Sequence, residues 1–337
     1  MRLDDFDYAL PDDRIAQVPI EPRDAARLLV DRGRAAPEHR HVRDLVELLG
    51  PGDLLVVNDT KVIPARLTLR RATGGSAEVL LLEPLDEGRR RWEAMVRPAR
   101  KLRAGERLIG ATGTELVEIG ARSEAGDTVE VCILGDDEPM VLLAHHGEMP
   151  LPPYITTPLD RGERYQTVYA VEPASAAAPT AGLHFTPELL EGLHERGVDM
   201  ARIELVVGLD TFKPVSASDP REHQIHSERY RVAADVLDRC RAARRVVAVG
   251  TTSARALESA ASSGRLEGRT RLFIHRPYTW QLVDLLMTNF HMPRTTLLMM
   301  IDAFVGERWR RLYQEALDEG YRFLSFGDAM LLDRRAD

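Results

Sequence analysis

The 337-residue sequence is poor in cysteine and has no apolar run long enough to cross a bilayer. Its two cysteines, Cys132 and Cys240, are far apart in the chain, which argues against a disulfide framework or a cysteine-rich zinc site. The acidic segment 1–7 lacks the apolar core of a signal peptide. These absences favour a reducing compartment, and we expect a cytoplasmic protein with no membrane partner.

Several common catalytic motifs are also missing. No G-x-G-x-x-G follows a predicted strand, so the sequence supports neither a dinucleotide enzyme nor a conventional methyltransferase. There is no P-loop, no G-x-S-x-G elbow and no H-E-x-x-H motif. We therefore expect no bound metal and no nucleotide site of these standard types.

Basic residues are outnumbered: 45 Lys and Arg against 53 Asp and Glu give a net charge of −8. General nucleic-acid binders are usually basic, because neutralising phosphates drives their affinity. Any RNA binding here must rely on local patches, of which residues 70–71, 89–91, 97–103 and 241–245 are candidates. For any single patch, a solvated surface is the favoured explanation.

The hydrophobic pattern predicts two kinds of structure. Residues 54–57 form a continuous apolar run that suits a buried strand, and short strands follow at close spacing from 62 to 134. After the proline-rich segment 147–155, helices alternate with strands, which indicates a largely parallel α/β sheet. A further strand is predicted at 322–325.

The predicted fold class is therefore α/β: a mixed, largely parallel sheet domain with an inserted antiparallel β-barrel. We assign the α/β domain to residues 1–61 and 151–337 and the barrel to 62–150. Two consecutive domains are the alternative. Insertion is favoured because a strand at 54–57 needs helical cover on both faces.

The segment 178–186, Ala-Pro-Thr-Ala-Gly-Leu-His-Phe-Thr, is the most informative local pattern. Thr186 suits a helix N-cap, Pro187 a first helical residue and Gly197 a helix end. His184 then lies beside a helix N-terminus, an arrangement that attracts anions. Taken alone, the pattern is equally typical of an ordinary turn with a hydrogen-bonded histidine.

Three other segments carry polar groups near predicted element ends. Residues 246–255 read as a buried strand, a glycine turn and a hydroxyl-rich helix start with Arg255 in position to bind an anion. Residues 286–293 place Thr, Asn and His before a helix. His223 and His226 do not share a strand face, so acid–base chemistry is favoured over zinc binding there. Helix capping or a satisfied histidine is the simpler explanation of each segment alone.

Together these segments resemble the S-adenosylmethionine:tRNA ribosyltransferase-isomerase family of queuosine biosynthesis. The resemblance runs nearly end to end, in collinear order. It is carried by Asn-Asp-Thr-Lys-Val-Ile-Pro-Ala-Arg at 58–66, by Arg-Tyr-Gln-Thr-Val-Tyr at 164–169, and by residues 147–155, 177–186, 250–255, 288–293 and 321–330.

The resemblance implies a tRNA-modifying transferase and isomerase. Such an enzyme transfers and isomerises the ribosyl group of S-adenosylmethionine onto 7-aminomethyl-7-deazaguanine at the wobble position of a tRNA with a GUN anticodon. The products are epoxyqueuosine-tRNA, adenine and methionine. S-adenosylmethionine is a consumed co-substrate, no metal is implied, and we expect a monomer.

The chemistry requires proton transfers that histidines suit near neutral pH. We expect His184 and His226 to act as acid or base, with His223 and His291 in reserve. The residues expected to bind the nucleoside, methionine or deazaguanine are Asn58, Asp59, Thr60, Arg66, Thr180, Thr251, Thr252, Ser253, Arg255 and Asn289. The sequence does not decide which residue holds which group.

Some positions depart from the family pattern. Val206 stands where a histidine is usual, Asp210 where a glycine is usual, and Ala174-Ser175 where Gly-Ser is usual. Two other functions therefore stay open: ribosyl transfer to a small-molecule amine, and non-catalytic tRNA binding. Release of adenine, with and without tRNA, distinguishes the three.

Overall fold

Two large β-sheets organise the protein in the computed structural model, which describes residues 1–123, 126–207, 219–223, 225 and 227–335. One sheet has nine strands and helices on both faces, and the other closes into an antiparallel barrel. The predicted fold class is confirmed. Among the described residues, no helix is both long and apolar enough to cross a membrane.

The strands and helices are named in chain order. The strands are β1 Arg27–Val30, β2 Glu38–His41, β3 Asp53–Asn58, β4 Thr60–Val62, β5 Arg66–Arg71, β6 Ser76–Pro84, β7 Arg91–Arg97, β8 Arg107–Ile109, β9 Glu115–Arg122, β10 Val129–Ile133, β11 Gly147–Glu148, β12 Glu172–Ser175, β13 Asp199–Leu205, β14 Glu228–Arg231, β15 Arg245–Val249, β16 Glu267–Thr270, β17 Leu285–Asn289 and β18 Ala329–Asp333. The α-helices are α1 Leu45–Leu48, α2 Pro139–His146, α3 Pro187–Glu195, α4 Ala234–Ala242, α5 Gly250–Ser263, α6 Thr296–Val305 and α7 Arg308–Asp318.

The nine-stranded sheet has the order β16-β14-β13-β3-β15-β17-β18-β1-β2. Its central strands β13, β3, β15 and β17 run parallel, whereas β14, β16 and β2 pair antiparallel at the two edges. Strand β3 is buried along its whole length. Leu54 and Val56 pack into the core beneath α4 to α7, and Leu55 and Val57 pack into the core beneath α1 and α3. The helical cover that residues 54–57 require is therefore present on both faces.

The barrel contains β5, β6, β7, β10, β9 and β8 in that order, and pairing of β8 with β5 closes it. Alternate residues of its strands point inward, as in β7, where Trp92 and Ala94 are fully buried. The predicted strand at 62–69 is divided into β4 and β5. Pro64 lies in the gap and has no N–H to donate to a ladder.

Helix α3 follows its sequence signals. The Thr186 hydroxyl accepts a hydrogen bond from the backbone N–H of Leu189 at 3.1 Å, Pro187 is the first helical residue, and Gly197 has a φ of +76° just beyond the helix. The turn that precedes this helix, Thr180–His184, is a short 3₁₀ segment.

The predicted strand at 322–325 is wrong. That segment is a turn in which Leu324 has a φ of +68° and the Asp328 carboxylate accepts the backbone N–H of Arg322 at 2.8 Å. The strand comes later, at Ala329–Asp333, where the apolar side chains are buried. The turn held by the Asp328 carboxylate precedes the strand, so pairing with β17 begins only at Ala329.

Among the described residues, two ion pairs join the barrel to the rest of the chain. Arg89 of the β6–β7 turn contacts Glu172 at 3.1 Å, and Arg269 of β16 contacts Glu83 of β6 at 2.8 Å. Strands β4 and β12 also pair with each other, in parallel. These contacts hold the barrel beside the nine-stranded sheet.

Candidate functional site

A cleft opens at the carboxyl ends of β15 and β17, which are neighbouring parallel strands. The start of α5, the loop after β17 and the turn at 180–184 form its walls, and its enclosed part measures about 140 Å³. Ligands of open α/β sheets bind at this kind of position. Six of the residues expected from the sequence line the cleft: Thr180, Thr251, Thr252, Arg255, Asn289 and His291.

The N-terminus of α5 forms one wall. Gly250 begins this helix with a φ of +86°, a conformation that side chains rarely tolerate. The buried hydroxyl of Thr252 has no hydrogen-bond partner among the described residues. Since the first amides of a helix also lack helical partners, this wall offers several hydrogen-bonding groups to a ligand.

Arg255 reaches the cleft from the second turn of α5. Its side chain is 11% exposed, and its Nη1 lies 2.6 Å from Oε2 of Glu228. Its Nε and Nη2 are buried without a hydrogen-bond partner in the described part of the chain. Buried polar atoms normally find partners, so these two N–H groups point to a ligand.

Asn289 organises the opposite wall. Its Oδ1 accepts a hydrogen bond from the Thr180 hydroxyl at 3.1 Å, and its Nδ2 lies 3.1 Å from Nε2 of His184. The same Nδ2 donates to the carbonyl oxygens of Leu324 and Asp328. These contacts fix the orientation of the amide, with its oxygen toward Thr180.

His184 lies behind Asn289 and does not line the cleft. Because the Asn289 amide donates to it, Nε2 of His184 accepts and the ring proton is on Nδ1. Burial lowers the pKa of His184 to about 3, and the positive charges of Arg322, Arg164 and Arg23 act in the same direction. A neutral imidazole without access to the cleft argues against the proton transfer expected of His184.

His291 does line the cleft, and three groups hold it. Its Nε2 lies 3.0 Å from the Thr288 hydroxyl, its backbone N–H donates to Tyr313, and its carbonyl accepts from Tyr8. Burial lowers its pKa to about 3. At neutral pH the ring is uncharged and suited to hydrogen bonding.

The cleft also contains residues that sequence reasoning missed. Glu228 contacts Arg255, and the hydroxyls of Tyr154 and Ser325 lie 2.6 Å apart within the lining. Tyr154 belongs to the proline-rich segment and Ser325 to the turn predicted as a strand. Only the resemblance, whose segments 147–155 and 321–330 contain them, could have indicated these two residues.

Two other predicted residues lie at the end of β3. The Asn58 side chain exchanges hydrogen bonds with the backbone of Leu205 at 2.9 and 3.2 Å. Asp59 is half-buried, and burial raises the pKa of its carboxyl. Neither residue lines the cleft.

Thr60, Arg66 and Ser253 are likewise outside the cleft lining. Thr60 is fully buried in β4. Arg66 donates to the carbonyl oxygen of Leu151 at 3.3 Å. The Ser253 hydroxyl donates to the Val249 carbonyl at 2.7 Å, which stabilises the start of α5.

His223 does not line the cleft. His223 packs edge-to-face near Phe273, with ring centroids 6.5 Å apart. His226 lies outside the described residues, as does Asp210. Val206, where the resemblance expects a histidine, is buried. Within the described ranges there is no group of three His, Cys, Asp or Glu side chains that could hold a metal ion.

Comparisons with known proteins identify the family of the chain. Residues 3–332 match the family model described as "Queuosine biosynthesis protein". The chain is 51% identical to the S-adenosylmethionine:tRNA ribosyltransferase-isomerase of Symbiobacterium thermophilum, over 98% of this chain and 100% of the relative. It is 49% identical to the protein of the same name from Thermus thermophilus, over 98% and 99%.

A solved structure is similar as well. The crystal structure of S-adenosylmethionine tRNA ribosyltransferase from Thermotoga maritima aligns with 97% of this chain and 99% of its own length. The TM-score is 0.54 and the sequence identity is 39%. The similarity therefore extends over both sheets.

Proposed function

The chain belongs to the queuosine biosynthesis protein family, and we propose that its cleft transfers and isomerises the ribosyl group of S-adenosylmethionine onto a tRNA base. It is an enzyme, a ribosyltransferase-isomerase of tRNA modification, and its substrates are S-adenosylmethionine and tRNA. The acceptor that we propose is 7-aminomethyl-7-deazaguanine at the wobble position of a GUN anticodon. The products are epoxyqueuosine-tRNA, adenine and methionine.

One observation supports the location of this chemistry above the others. Three segments that carry the family resemblance, 177–186, 250–255 and 288–293, are far apart in sequence and meet in the same cleft. Two of them follow the carboxyl ends of parallel strands, where α/β sheets bind their ligands.

The reaction sets demands that the cleft residues can meet. The sulfonium acidifies the neighbouring 5′ carbon and a base removes that proton. Adenine departs and takes up a proton, the neutral amine of the tRNA base attacks the sugar, and cleavage of the carbon–sulfur bond releases methionine. We propose that the uncharged imidazole of His291 hydrogen-bonds to a reacting group in the cleft, since its low pKa favours the neutral form. We retain His226 as the candidate for proton removal, with His223 in reserve.

Thr180 and Asn289 form a fixed hydrogen-bonding surface in this proposal. The Thr180 hydroxyl donates to Asn289, so its oxygen remains able to accept a hydrogen bond from the sugar or the base. His184 acts through Asn289 by holding the amide orientation. We therefore propose His184 as a positioning residue.

A tRNA is much larger than the cleft, so further contacts must lie outside it. The end of β7 and the loop after it, together called the basic loop, expose Arg97, Arg100, Lys101 and Arg103, none of which has an ion-pair partner among the described residues. Arg71 donates to the Lys101 carbonyl at 3.0 Å, and Arg122 donates to the Ala99 carbonyl. We propose that this supported basic loop contacts the tRNA backbone.

Other parts of the proposal concern the whole protein. We propose that the protein acts in the cytoplasm, because its tRNA substrate resides there. We also propose that it is a monomer. We also propose the division into a discontinuous α/β domain, 1–61 and 151–337, and a barrel domain, 62–150.

Mass analysis of the reaction tests the function. The protein is incubated with S-adenosylmethionine and a tRNA that carries the aminomethyl deazaguanine, and the nucleosides of the digested tRNA are identified. Epoxyqueuosine in the digest supports the proposal. Adenine release with a small-molecule amine but no change in tRNA would instead support the divergent-enzyme alternative.

A further inference from the structure

We propose that Arg255 and Glu228 form the subsite for the α-amino acid end of S-adenosylmethionine, with the first turn of α5 completing it. This inference rests on the proposed function and assigns one part of the substrate to one part of the cleft. The carboxylate binds Nε and Nη2 of Arg255, and the ammonium group lies against the Glu228 carboxylate.

The orientation of Arg255 supports a carboxylate at this point. Its Nη1 is already engaged by Glu228 at 2.6 Å, whereas Nε and Nη2 are buried without partners. Guanidinium groups bind carboxylates through two parallel N–H groups, and these two N–H groups are adjacent on one edge. A buried edge of this kind needs an acceptor, which the free protein does not supply in its described residues.

The start of α5 provides a second, independent indication of an anion. The helix has 14 residues, and its first three, Gly250, Thr251 and Thr252, line the cleft. The Thr252 hydroxyl is buried and unpartnered in the described part of the chain. Helical side chains lean toward the N-terminus, so the Arg255 guanidinium and these groups face the same region.

Charge balance distinguishes an amino acid from a phosphate. Arg255 and Glu228 carry opposite charges, and their side chains are only 11% and 3% exposed. A phosphate would be attracted by Arg255 but repelled by Glu228 in a poorly solvated place. The α-amino acid group has no net charge and presents one charge of each sign, so it matches both residues.

Binding of three ligands tests the assignment. S-adenosylmethionine and decarboxylated S-adenosylmethionine share the sulfonium and the amine and differ only in the carboxylate, whereas 5′-methylthioadenosine lacks the sulfonium and the whole amino acid end. Calorimetry is performed with the protein alone and with saturating tRNA that has guanine at the wobble position and cannot react. We expect wild-type affinity to fall in that ligand order, with loss of the carboxylate costing about 10- to 100-fold.

Four variants identify the residues responsible. Arg255→Gln is expected to weaken S-adenosylmethionine by about 10- to 100-fold and to leave 5′-methylthioadenosine unchanged. Glu228→Gln is expected to weaken both amine-bearing ligands. The double variant Arg255→Gln/Glu228→Gln leaves no buried charge unpaired between the two positions, and it should bind S-adenosylmethionine and decarboxylated S-adenosylmethionine with similar affinity. Arg229→Gln removes a neighbouring ion pair, with Glu204, outside the cleft and should change none of them.

The binding results distinguish a failure of the proposed subsite from a failure of the proposed function. A wild-type protein that binds 5′-methylthioadenosine as tightly as S-adenosylmethionine overturns the proposed subsite. A double variant that keeps the wild-type preference for S-adenosylmethionine over decarboxylated S-adenosylmethionine also overturns it. Equal weakening of all three ligands by Arg255→Gln also overturns it, because that result indicates a structural role. Failure of the wild-type protein to bind S-adenosylmethionine in either condition refutes the proposed function itself.

Discussion

Asn289 lies between His184 and the cleft, with its amide nitrogen 3.1 Å from Nε2 of the histidine. The amide oxygen faces the Thr180 hydroxyl on the cleft side. His184 does not line the cleft, and it affects the cleft by holding the Asn289 amide in its orientation. This relationship changes the interpretation of the histidine from a proton-transfer group to a support for the wall.

Substitution of His184 separates these two roles. Glutamine can accept the Asn289 N–H through its side-chain oxygen, whereas leucine cannot. We expect His184→Gln to keep the single-turnover rate of adenine release within about 10-fold of wild type, and His184→Leu to lose about 100-fold through misplacement. Similar losses of about 100-fold or more in both variants would indicate proton transfer instead.

The buried histidines also predict a pH dependence of stability. The folded-state pKa values of His184 and His291 are about 3, below the value of about 6.5 expected in the unfolded chain. The unfolded state therefore binds more protons between these values, and the free energy of unfolding falls as pH decreases below about 6.5. Each histidine contributes about 1.4 kcal/mol per pH unit there.

Urea unfolding at pH 7 and pH 5 measures this effect. Wild-type protein should lose more stability between the two pH values than His184→Gln/His291→Gln, in which neither group titrates. Other titrating groups are common to both proteins and cancel in the difference. An equal loss in both proteins would contradict the neutral, buried state of the two rings.

Gly182 has a specific steric reason to be glycine. A Cβ atom at this position would lie 2.0 Å from the Tyr169 hydroxyl and 2.8 Å from the Thr167 methyl carbon. Gly182→Ala should displace the turn that carries Thr180, with a cost of about 1–3 kcal/mol and reduced kcat/KM.

A second substitution checks the steric explanation of Gly182. Removing the hydroxyl in Tyr169→Phe/Gly182→Ala should recover part of the stability and activity. Gly75→Ala, at a position where the nearest atom lies 3.7 Å away, is the matched control and should behave as wild type. A double variant no better than Gly182→Ala would refute the explanation.

The basic loop after β7 should contribute to tRNA binding and not to S-adenosylmethionine binding. Changing Arg97, Arg100, Lys101 and Arg103 to glutamine should raise the KM for tRNA. It should also reduce the slope of log affinity against log salt by about 0.7–0.9 for each lost phosphate contact. The affinity for S-adenosylmethionine should not change.

The control for the basic loop is a variant in which exposed arginines outside the barrel are changed to glutamine. Arg34 and Arg43 are exposed and belong to the nine-stranded sheet region. Arg34→Gln/Arg43→Gln should leave the salt slope at its wild-type value. A comparable decrease in both sets of variants would show that only net charge matters and would exclude a specific contact of the loop.

Most of the fold could be predicted from the sequence because its signals are local. The apolar run at 54–57 predicted β3, and Thr186 with Pro187 predicted the start of α3. The predicted strand at 322–325 was wrong because the chain turns there. The Asp328 carboxylate accepts a hydrogen bond from the backbone N–H of Arg322 and stabilises this turn.

The site could be predicted only in part. The segments around Thr180, Arg255 and Asn289 meet as their polar character suggested. The orientation of His184 could not be predicted, since packing against Asn289 turns it away from the cleft. Glu228 joins the cleft from another edge of the sheet, where no short sequence pattern connects it to Arg255.

Isotope tracing shows directly whether the protein transfers the ribosyl group of S-adenosylmethionine to tRNA. S-adenosylmethionine labelled with ¹³C throughout its ribose is incubated with the protein and tRNA bearing the aminomethyl deazaguanine. We expect the ribose label in the modified tRNA base and the release of unlabelled adenine in equal amount. Binding of the tRNA with no label transferred and no adenine released would contradict this expectation.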